Sequence, residues 1–266
     1  MLHILSLNWN VKQSILNLIP GLLNNLTNIP YQWHIRDNGS TDLDSSALVQ
    51  LEKVSNLYQI NHNRDSFSRG VNYLLEKANP ADNDYVMLLN NDIEFPDNTS
   101  IKNMLKQMKP NVGVVGAKLL YNNTNTIQSI GTIFSNKYNK LPWHYKSGEE
   151  AGMNETKNRY FQAITAACCI VRADSLRKIN GLNEDYRFSF EDVDFCLRIH
   201  YNLGQKIVYC ADTKIYHEES KSLKKNPVNK LFLNHNVKTF RRYWENKYII
   251  DHDFYLNDPS YNLVKE

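Results

Sequence analysis

The chain has 266 residues, 42% apolar and 11% aromatic, with a formal net charge of +3. That length allows one large or two small domains, and the apolar share supports a packed core, which excludes a disordered chain. No apolar run is long enough to span a bilayer, and the four cysteines form no CxxC pair, which argues against zinc and for buried, reduced thiols.

Leu2–Leu7 reads as a short buried strand, followed by a helical pattern through Leu26. Tyr31–Arg36 is a second strand ending at Asp37, and Leu57–Ile60 a third. Phe67–Ala78 is helical, with Phe67, Val71, Leu74, Leu75 and Ala78 on one face. Tyr85–Leu89 is a fourth strand, Ile101–Met108 a helix, and Val112–Val115 continues the alternation. Strands alternating with helices predict an α/β unit with a mostly parallel sheet. Ligands of such sheets bind beyond the carboxyl ends of the strands, where Asp37 and Asp92 fall.

Beyond residue 116 the pattern changes. Lys118–Tyr121 and Thr126–Phe134 read as extended, antiparallel segments, and the polar stretch 135–160 as a mobile loop. Ala163–Val171 is a buried strand and Ala173–Ile179 a short helix stopped by Gly181. Glu191–Leu203 is a helix ended by Gly204, and Ile207–Cys210 and Lys214–His217 are two short strands. After Pro227 comes a helix from Val228 to Lys247. Phe232, Leu233, Val237, Phe240, Tyr243 and Trp244 share an arc of about 140° on it, with Lys230, Lys238 and Arg241 off that arc.

Four segments carry acidic or metal-capable side chains at the ends of these elements. Asp37-Asn38-Gly39-Ser40-Thr41-Asp42 is a strand end, a tight turn and a helix cap. Asn-Gly turns and such caps are common, but a carboxylate fixed there is also a double acceptor for a nucleobase or ribose. Asn90-Asn91-Asp92 is either a turn or a place for a hard cation whose other ligands come from phosphates. Glu191-Asp192 opens a helix, where acids complement the dipole by roughly 0.3–1 kcal/mol each. Phe188-Ser189-Phe190 before them would wall a pocket, and a carboxylate there could take a proton from an attacking hydroxyl. His217, followed by Ser220, is a structural histidine or a ligand. Arg64 and Arg69 flank Phe67, where a guanidinium meets either solvent or a diphosphate.

Read in order, these segments resemble family-2 glycosyltransferases of the GT-A fold, of the rhamnosyl- and galactofuranosyl-transferase-like kind. The resemblance runs from Leu5 to about Ser220. Ile4-Leu5-Ser6-Leu7-Asn8-Trp9-Asn10 resembles the first strand, and Asp37 to Asp42 the nucleotide-binding turn. Asn63 to Asn72 resembles the following donor segment, and Leu89-Asn90-Asn91-Asp92 stands in place of the DxD motif. Val112 to Gly131 resembles the link between donor and acceptor halves. Gly181-Leu182-Asn183-Glu184 followed by Glu191-Asp192-Val193-Asp194-Phe195-Cys196-Leu197-Arg198 is the most specific match, and His217 with Ser220 resembles the late histidine motif.

The resemblance implies a Rossmann-like, mostly parallel sheet flanked by helices, with a small antiparallel element and a C-terminal helix. Residues 1–225 would form the catalytic domain, with 1–116 the nucleotide-binding half and 117–225 the acceptor half; 226–266 would be a basic amphipathic segment. It implies donor contacts from Asn8, Asp37, Asn63, Arg69, Asn91 and Asp92, and Mn²⁺ or Mg²⁺ held by Asp92 and His217. Asp192 would be the base of an inverting transfer, supported by Glu191. The donor would be a UDP- or dTDP-sugar and the acceptor a glycan or lipid-linked saccharide. Two departures stand out: only one carboxylate remains in Asn90-Asn91-Asp92, and Asp65-Ser66-Phe67 lacks the glycine many relatives carry. A nucleotidyltransferase would show a glycine-rich basic loop near residue 10, which Asn8-Trp9-Asn10-Val11 is not. The intact Glu191-Asp192 pair speaks against a non-catalytic sugar-nucleotide binder.

Charge is unevenly spread. Lys221–Lys247 holds eight Lys or Arg and one acid, leaving 23 basic against 27 acidic residues elsewhere. The basic helix of 228–247 has three readings: docking on the catalytic domain, contact with an anionic membrane surface near a lipid-linked acceptor, or self-association as a homodimer. Nucleic-acid binding is not expected of an acidic body without a binding motif. Met1-Leu2-His3 lacks the basic start of a secretory signal, so the expected place is the cytoplasm, peripheral at the inner face of the membrane if the helix meets lipid.

Overall fold

In a computed structural model, residues 1–60, 65–187, 189–218 and 229–265 are described. The first half alternates as expected: β1 (Leu2–Asn8), α1 (Lys12–Asn25), β2 (Tyr31–Asp37), α2 (Ser45–Glu52), β3 (Asn56–Gln59), α3 (Phe67–Ala78), β4 (Tyr85–Leu89), β5 (Ile93–Glu94), α4 (Ser100–Lys106) and β6 (Val112–Tyr121). Then come β7 (Ile127–Ser129), β8 (Thr132–Phe134), β9 (Pro142–His144), β10 (Arg159–Phe161) and β11 (Cys168–Arg172). The chain continues through α5 (Ala173–Lys178), α6 (Glu191–Leu203), β12 (Lys206–His217), α7 (Asn229–Trp244) and α8 (His252–Asn257).

The main sheet runs β10-β12-β6-β11-β4-β1-β2-β3, with β5 added to β12 and β7 to β6. Pairings β3–β2–β1–β4 and β6–β12 are parallel, while β11 runs antiparallel between β4 and β6. A two-stranded antiparallel sheet, β8–β9, lies apart. This is the mixed α/β architecture expected from the sequence.

Alternation along the strands puts the two larger of three core clusters on opposite faces of the sheet, and the third lies around Ile127, Phe161 and Tyr255. Met87 and Leu89 of β4 join Ile15, Leu18 and Leu22 of α1 on one side. Val86 and Leu88 join Val71 and Leu74 of α3, Phe195 and Ile199 of α6 and Phe240 and Trp244 of α7 on the other. The adjacent cysteines split the same way: Cys168 and Cys210 lie in the first layer, Cys169 and Cys196 in the second, all four free and buried.

Four segments differ from expectation. The stretch 135–160 contains β9 and the start of β10, because β9 pairs with β8 and β10 with the long β12. The strand expected over Ala163–Val171 begins only at Cys168. Upstream of it the Ala166 amide donates to Asp192 and the Ala167 amide to Thr165, so neither joins a ladder. The two strands expected at 207–217 are one, β12, with a register shift between Cys210 and Ile215. Thr213 fills the gap, its Oγ1 accepting from the Lys118 amide and donating to the Cys210 carbonyl. Finally, Asp42 does not cap the helix that follows it. Its Oδ2 accepts from the Lys12 amide at the start of α1, and Asp44 caps α2.

Gly181 ends the α5 turn at φ 67°, a left-handed conformation glycine adopts freely, and a Cβ there would sit 2.5 Å from Asn72 Oδ1. Helix α7 docks through Asn236, Thr239, Phe240 and Trp244, while Phe232, Leu233 and Tyr243 of its expected apolar arc are exposed. Val228, at its expected start, lies outside the described residues.

Candidate active site

Three of the four segments lie at the carboxyl ends of strands β2, β4 and β12 of the main sheet. Asp37 closes β2 in register with Asn8 of β1, so the two buried side chains meet. Asn8 Nδ2 donates to Asp37 Oδ1 at 2.8 Å, Ser40 Oγ donates to the same oxygen at 2.5 Å, and the Ser40 amide donates to Oδ2 at 3.0 Å. A carboxylate offers about four acceptor positions; two are used within the turn and a third by Asn8 of the adjacent strand. Across the strand ends Asn91 Nδ2 donates to Asn8 Oδ1 at 2.9 Å, which ties the turn after β4 to the turn after β2.

Asp92 and His217 meet because β5 pairs with the end of β12, His217 opposite Ile93, and because the Glu218 amide donates to the Asp92 carbonyl. Asp92 Oδ1 lies 3.1 Å from His217 Nε2. The other ring nitrogen, Nδ1, donates to Gln128 Oε1 at 2.6 Å, and Gln128 Nε2 donates to the His217 carbonyl at 3.3 Å. With Nδ1 carrying the proton, Nε2 presents a lone pair, which also accepts from Asn90 Nδ2 at 3.3 Å. A lone pair and a carboxylate oxygen facing each other call for a shared proton or a cation between them. Two neighbouring ligands of an octahedral cation with bonds of about 2.1 Å lie about 3.0 Å apart, so the pair fits Mn²⁺ or Mg²⁺. Among the described residues no cluster of three or more His, Cys, Asp or Glu could hold a metal. A cation here would therefore complete its shell with phosphate oxygens and water.

Glu191 and Asp192 open α6. Asp192 Oδ1 accepts from the Val193 amide at 2.8 Å, and Oδ2 accepts from the Ala166 amide at 3.4 Å. Glu191 Oε2 is buried without a hydrogen-bond partner among the described residues. Burial, and then the neighbouring Asp192, push the Glu191 carboxyl up to about 8, so it holds its proton where ordinary carboxylates are ionised. Asp194, third in the acidic run, is structural. It is 1% exposed and accepts from Arg198 Nε at 2.7 Å, Trp244 Nε1 at 2.8 Å and Tyr186 Oη at 3.4 Å.

Hydrogen bonds and two single-residue backbone steps link all four segments. Asp37 leads through Asn8 to Asn91. The neighbouring Asn90 reaches His217 by its side chain and, by its amide, the Ala167 carbonyl at 2.8 Å, next to the Ala166 that meets Asp192. Arg69 stands outside it. Its Nε donates to Glu184 Oε2 at 3.2 Å in an exposed pair. Asn63, Arg64, Phe188 and Ser220 lie outside the described residues. Gln128 was not singled out from the sequence. It is 89 residues from His217, and no local pattern marks a glutamine that orients a distant ring.

A family model described as "Glycosyl transferase family 2" matches residues 4–179. The chain is similar to uncharacterized protein y4gI of Sinorhizobium fredii, 29% identical over 85% of this chain and 25% of that protein. It is also similar to the O-antigen biosynthesis protein RfbC of Myxococcus xanthus, 28% identical over 57% and 12%. The chain thus spans a quarter or less of the length of these curated relatives. Among solved structures it resembles mannosyltransferase PcManGT of Pyrobaculum calidifontis in complex with GDP-Man and Mn²⁺. The TM-score is 0.60 and the identity 14%, over 90% of this chain and 64% of that one. It also resembles S. aureus TarS 1–349 in complex with UDP-GlcNAc, at TM-score 0.62 and 16% identity over 94% and 68%. At such identities the likeness is one of fold, and the fold is that of the GT-A glycosyltransferases.

Proposed function

Because the chain belongs to glycosyl transferase family 2, we propose that it moves a sugar, with inversion, from a nucleoside-diphosphate sugar to a hydroxyl of a glycan or lipid-linked acceptor. What supports this reading is the run of hydrogen bonds and short backbone steps that links Asp37, Asp92, His217 and Asp192 beyond the strand ends. PcManGT with GDP-Man and TarS with UDP-GlcNAc supply the analogy for the donor class.

In the proposed reaction the acceptor oxygen bonds to the anomeric carbon as the bond from that carbon to the diphosphate oxygen breaks. Asp192 takes the acceptor proton, and the electron pair leaves with the nucleoside diphosphate. Glu191, kept neutral by burial, places no second charge beside the base and has a proton to donate to a sugar hydroxyl. Asn8, Asn91 and the Asp37 turn shape the nucleotide side, and Asp92 with His217 would hold the cation. A divalent cation bound there offsets the negative charge that grows on the leaving diphosphate.

Residues 1–225 are proposed to carry the side chains that meet donor, cation and acceptor. The exposed Phe232, Leu233 and Tyr243, set among Lys238, Arg241 and Arg242, are proposed to meet an anionic membrane surface. No helix among the described residues is long and apolar enough to cross a membrane.

The deciding experiment is a melting panel with UDP, dTDP and GDP, each with Mn²⁺. One of them should raise the melting temperature, and no shift with any would overturn the reading. Asp192→Asn should then keep that shift and lose transfer by about 10²–10⁴-fold. Undiminished transfer would remove Asp192 as the base.

A further inference from the structure

Ser189 and Phe190, directly before Glu191-Asp192, have φ of 63° and 69°. Left-handed backbone is uncommon outside glycine, and two such residues in succession persist only where the surroundings hold them. Among the described residues no local side chain does so: Phe190 is the N-cap of α6 and makes no side-chain cap, and locally only its carbonyl is engaged, by the Asp194 amide.

The support comes from α7. Asn236 is 0% exposed, its Oδ1 accepting from the Arg187 amide at 3.0 Å and its Nδ2 donating to the Ser189 carbonyl at 3.0 Å. One helical turn later the Phe240 ring lies 5.4 Å from that of Phe190, and a further turn on Trp244 donates to Asp194. Residues 236, 240 and 244 form one stripe, and it touches the catalytic segment before, at and after the carboxylate pair.

We propose that Asn236 is a positioning residue for the base. It holds the chain at Arg187 and Ser189, on entry to the left-handed turn, and so sets the direction in which Asp192 leaves the start of α6. A side-chain amide suits this because it carries a donor and an acceptor on one rigid plane, matching an N–H and a C=O two residues apart. Among the described residues Asp192 itself has two hydrogen-bond donors, both backbone amides and one of them at 3.4 Å, so its direction depends on the turn. Helix α7 lies beyond the matched residues 4–179, so family membership alone assigns it no part in the reaction.

The proposal rests on the transferase reading, and its test separates the two. Wild type, Asn236→Ala and the exposed control Asn234→Ala are compared by hydrogen exchange at residues 187–194, by melting with Mn²⁺ and whichever of UDP, dTDP and GDP shifts wild type, and by release of that diphosphate from UDP-N-acetylglucosamine, dTDP-rhamnose or GDP-mannose accordingly. In Asn236→Ala, exchange should rise at 187–194 alone. The nucleotide-induced shift should stay, and kcat should fall by about 10²-fold, as for a displaced catalytic group, while KM for the donor changes less than about threefold. Asn234→Ala should match wild type. Asn236→Asp keeps an oxygen for the Arg187 amide but cannot donate to Ser189, and it replaces the alanine variant if that does not fold.

A kcat within about twofold of wild type would overturn the proposal. So would exchange rising across the whole chain, with nucleotide binding lost in step. If wild type itself binds and turns over no nucleotide, the proposed function falls, and confined exchange at 187–194 still decides whether Asn236 holds the turn.

Discussion

The turn that carries Asp37 and the turn that carries Asp192 belong to one hydrogen-bonded network, yet they are held in opposite ways. Asp37 is held from within. Its partners are Ser40, three residues on, and Asn8, in register on the adjacent strand. Asp192 is held from outside. The chain before it runs through two left-handed residues, and the partners of that segment lie 47 to 50 residues later on α7. The Asp92–His217 pair stands between, made by sheet register and trimmed by one distant glutamine. A site built this way has a nucleotide end that forms with its own sheet and a base end that waits for a helix from far along the chain.

That contrast can be broken most severely at Trp244. Trp244→Phe removes the indole donor to buried Asp194 and should cost about 1.5–3 kcal/mol in urea unfolding. The melting shift with that diphosphate and Mn²⁺ should survive. If it vanishes, the two ends are not separately supported. Gln128→Leu attacks the middle. It leaves His217 without the partner that fixes its tautomer and should weaken Mn²⁺ by about 10–100-fold in calorimetry. Unchanged affinity would take His217 out of the metal site.

A smaller effect is expected from pH. The folded chain holds the Glu191 proton more tightly than the unfolded chain does, so it binds more protons between the ordinary value of 4.5 and about 8. Stability should therefore fall as pH rises through that window, and Glu191→Gln should flatten the melting profile there. The smallest effect belongs to Arg69. Its pair with Glu184 is exposed, so Arg69→Ala should change stability by well under about 1 kcal/mol. A loss of donor affinity in the same variant would show that the guanidinium leaves Glu184 for a diphosphate, and no loss would show a solvated pair.

How much of this could be read beforehand follows the same divide. The strands β1, β2 and β4 and the helices α3 and α6 announce themselves by local periodicity and glycine stops, and Asp37, Asp92 and Asp192 sit at their ends. The segment 135–160 looked like a loop because β9 and β10 are three residues each, too short to show alternation before their partners are known. Asp212-Thr213 looked like a break because two polar residues hide that Thr213 Oγ1 substitutes for a ladder acceptor. The acidic run 191–194 was legible as a site but not as a division of labour. That Asp194 serves Arg198 and Trp244 while Asp192 stays at the turn depends on helical phase and on a tryptophan 50 residues away. Asn236 carried no signal, and Gln128 none beyond its place in the segment Val112 to Gly131, since a buried amide is defined by what it meets.

The way Cys168 and Cys169 point to opposite layers makes the protein its own pair of reporters. Burial raises the pKa of all four thiols, and only the thiolate reacts with an alkylating reagent. Label can enter only when a layer opens. Mass spectrometry of pulse-labelled protein therefore times the two faces of the sheet separately, Cys168 and Cys210 for the α1 side, Cys169 and Cys196 for the side that carries α6 and α7, without a single engineered probe.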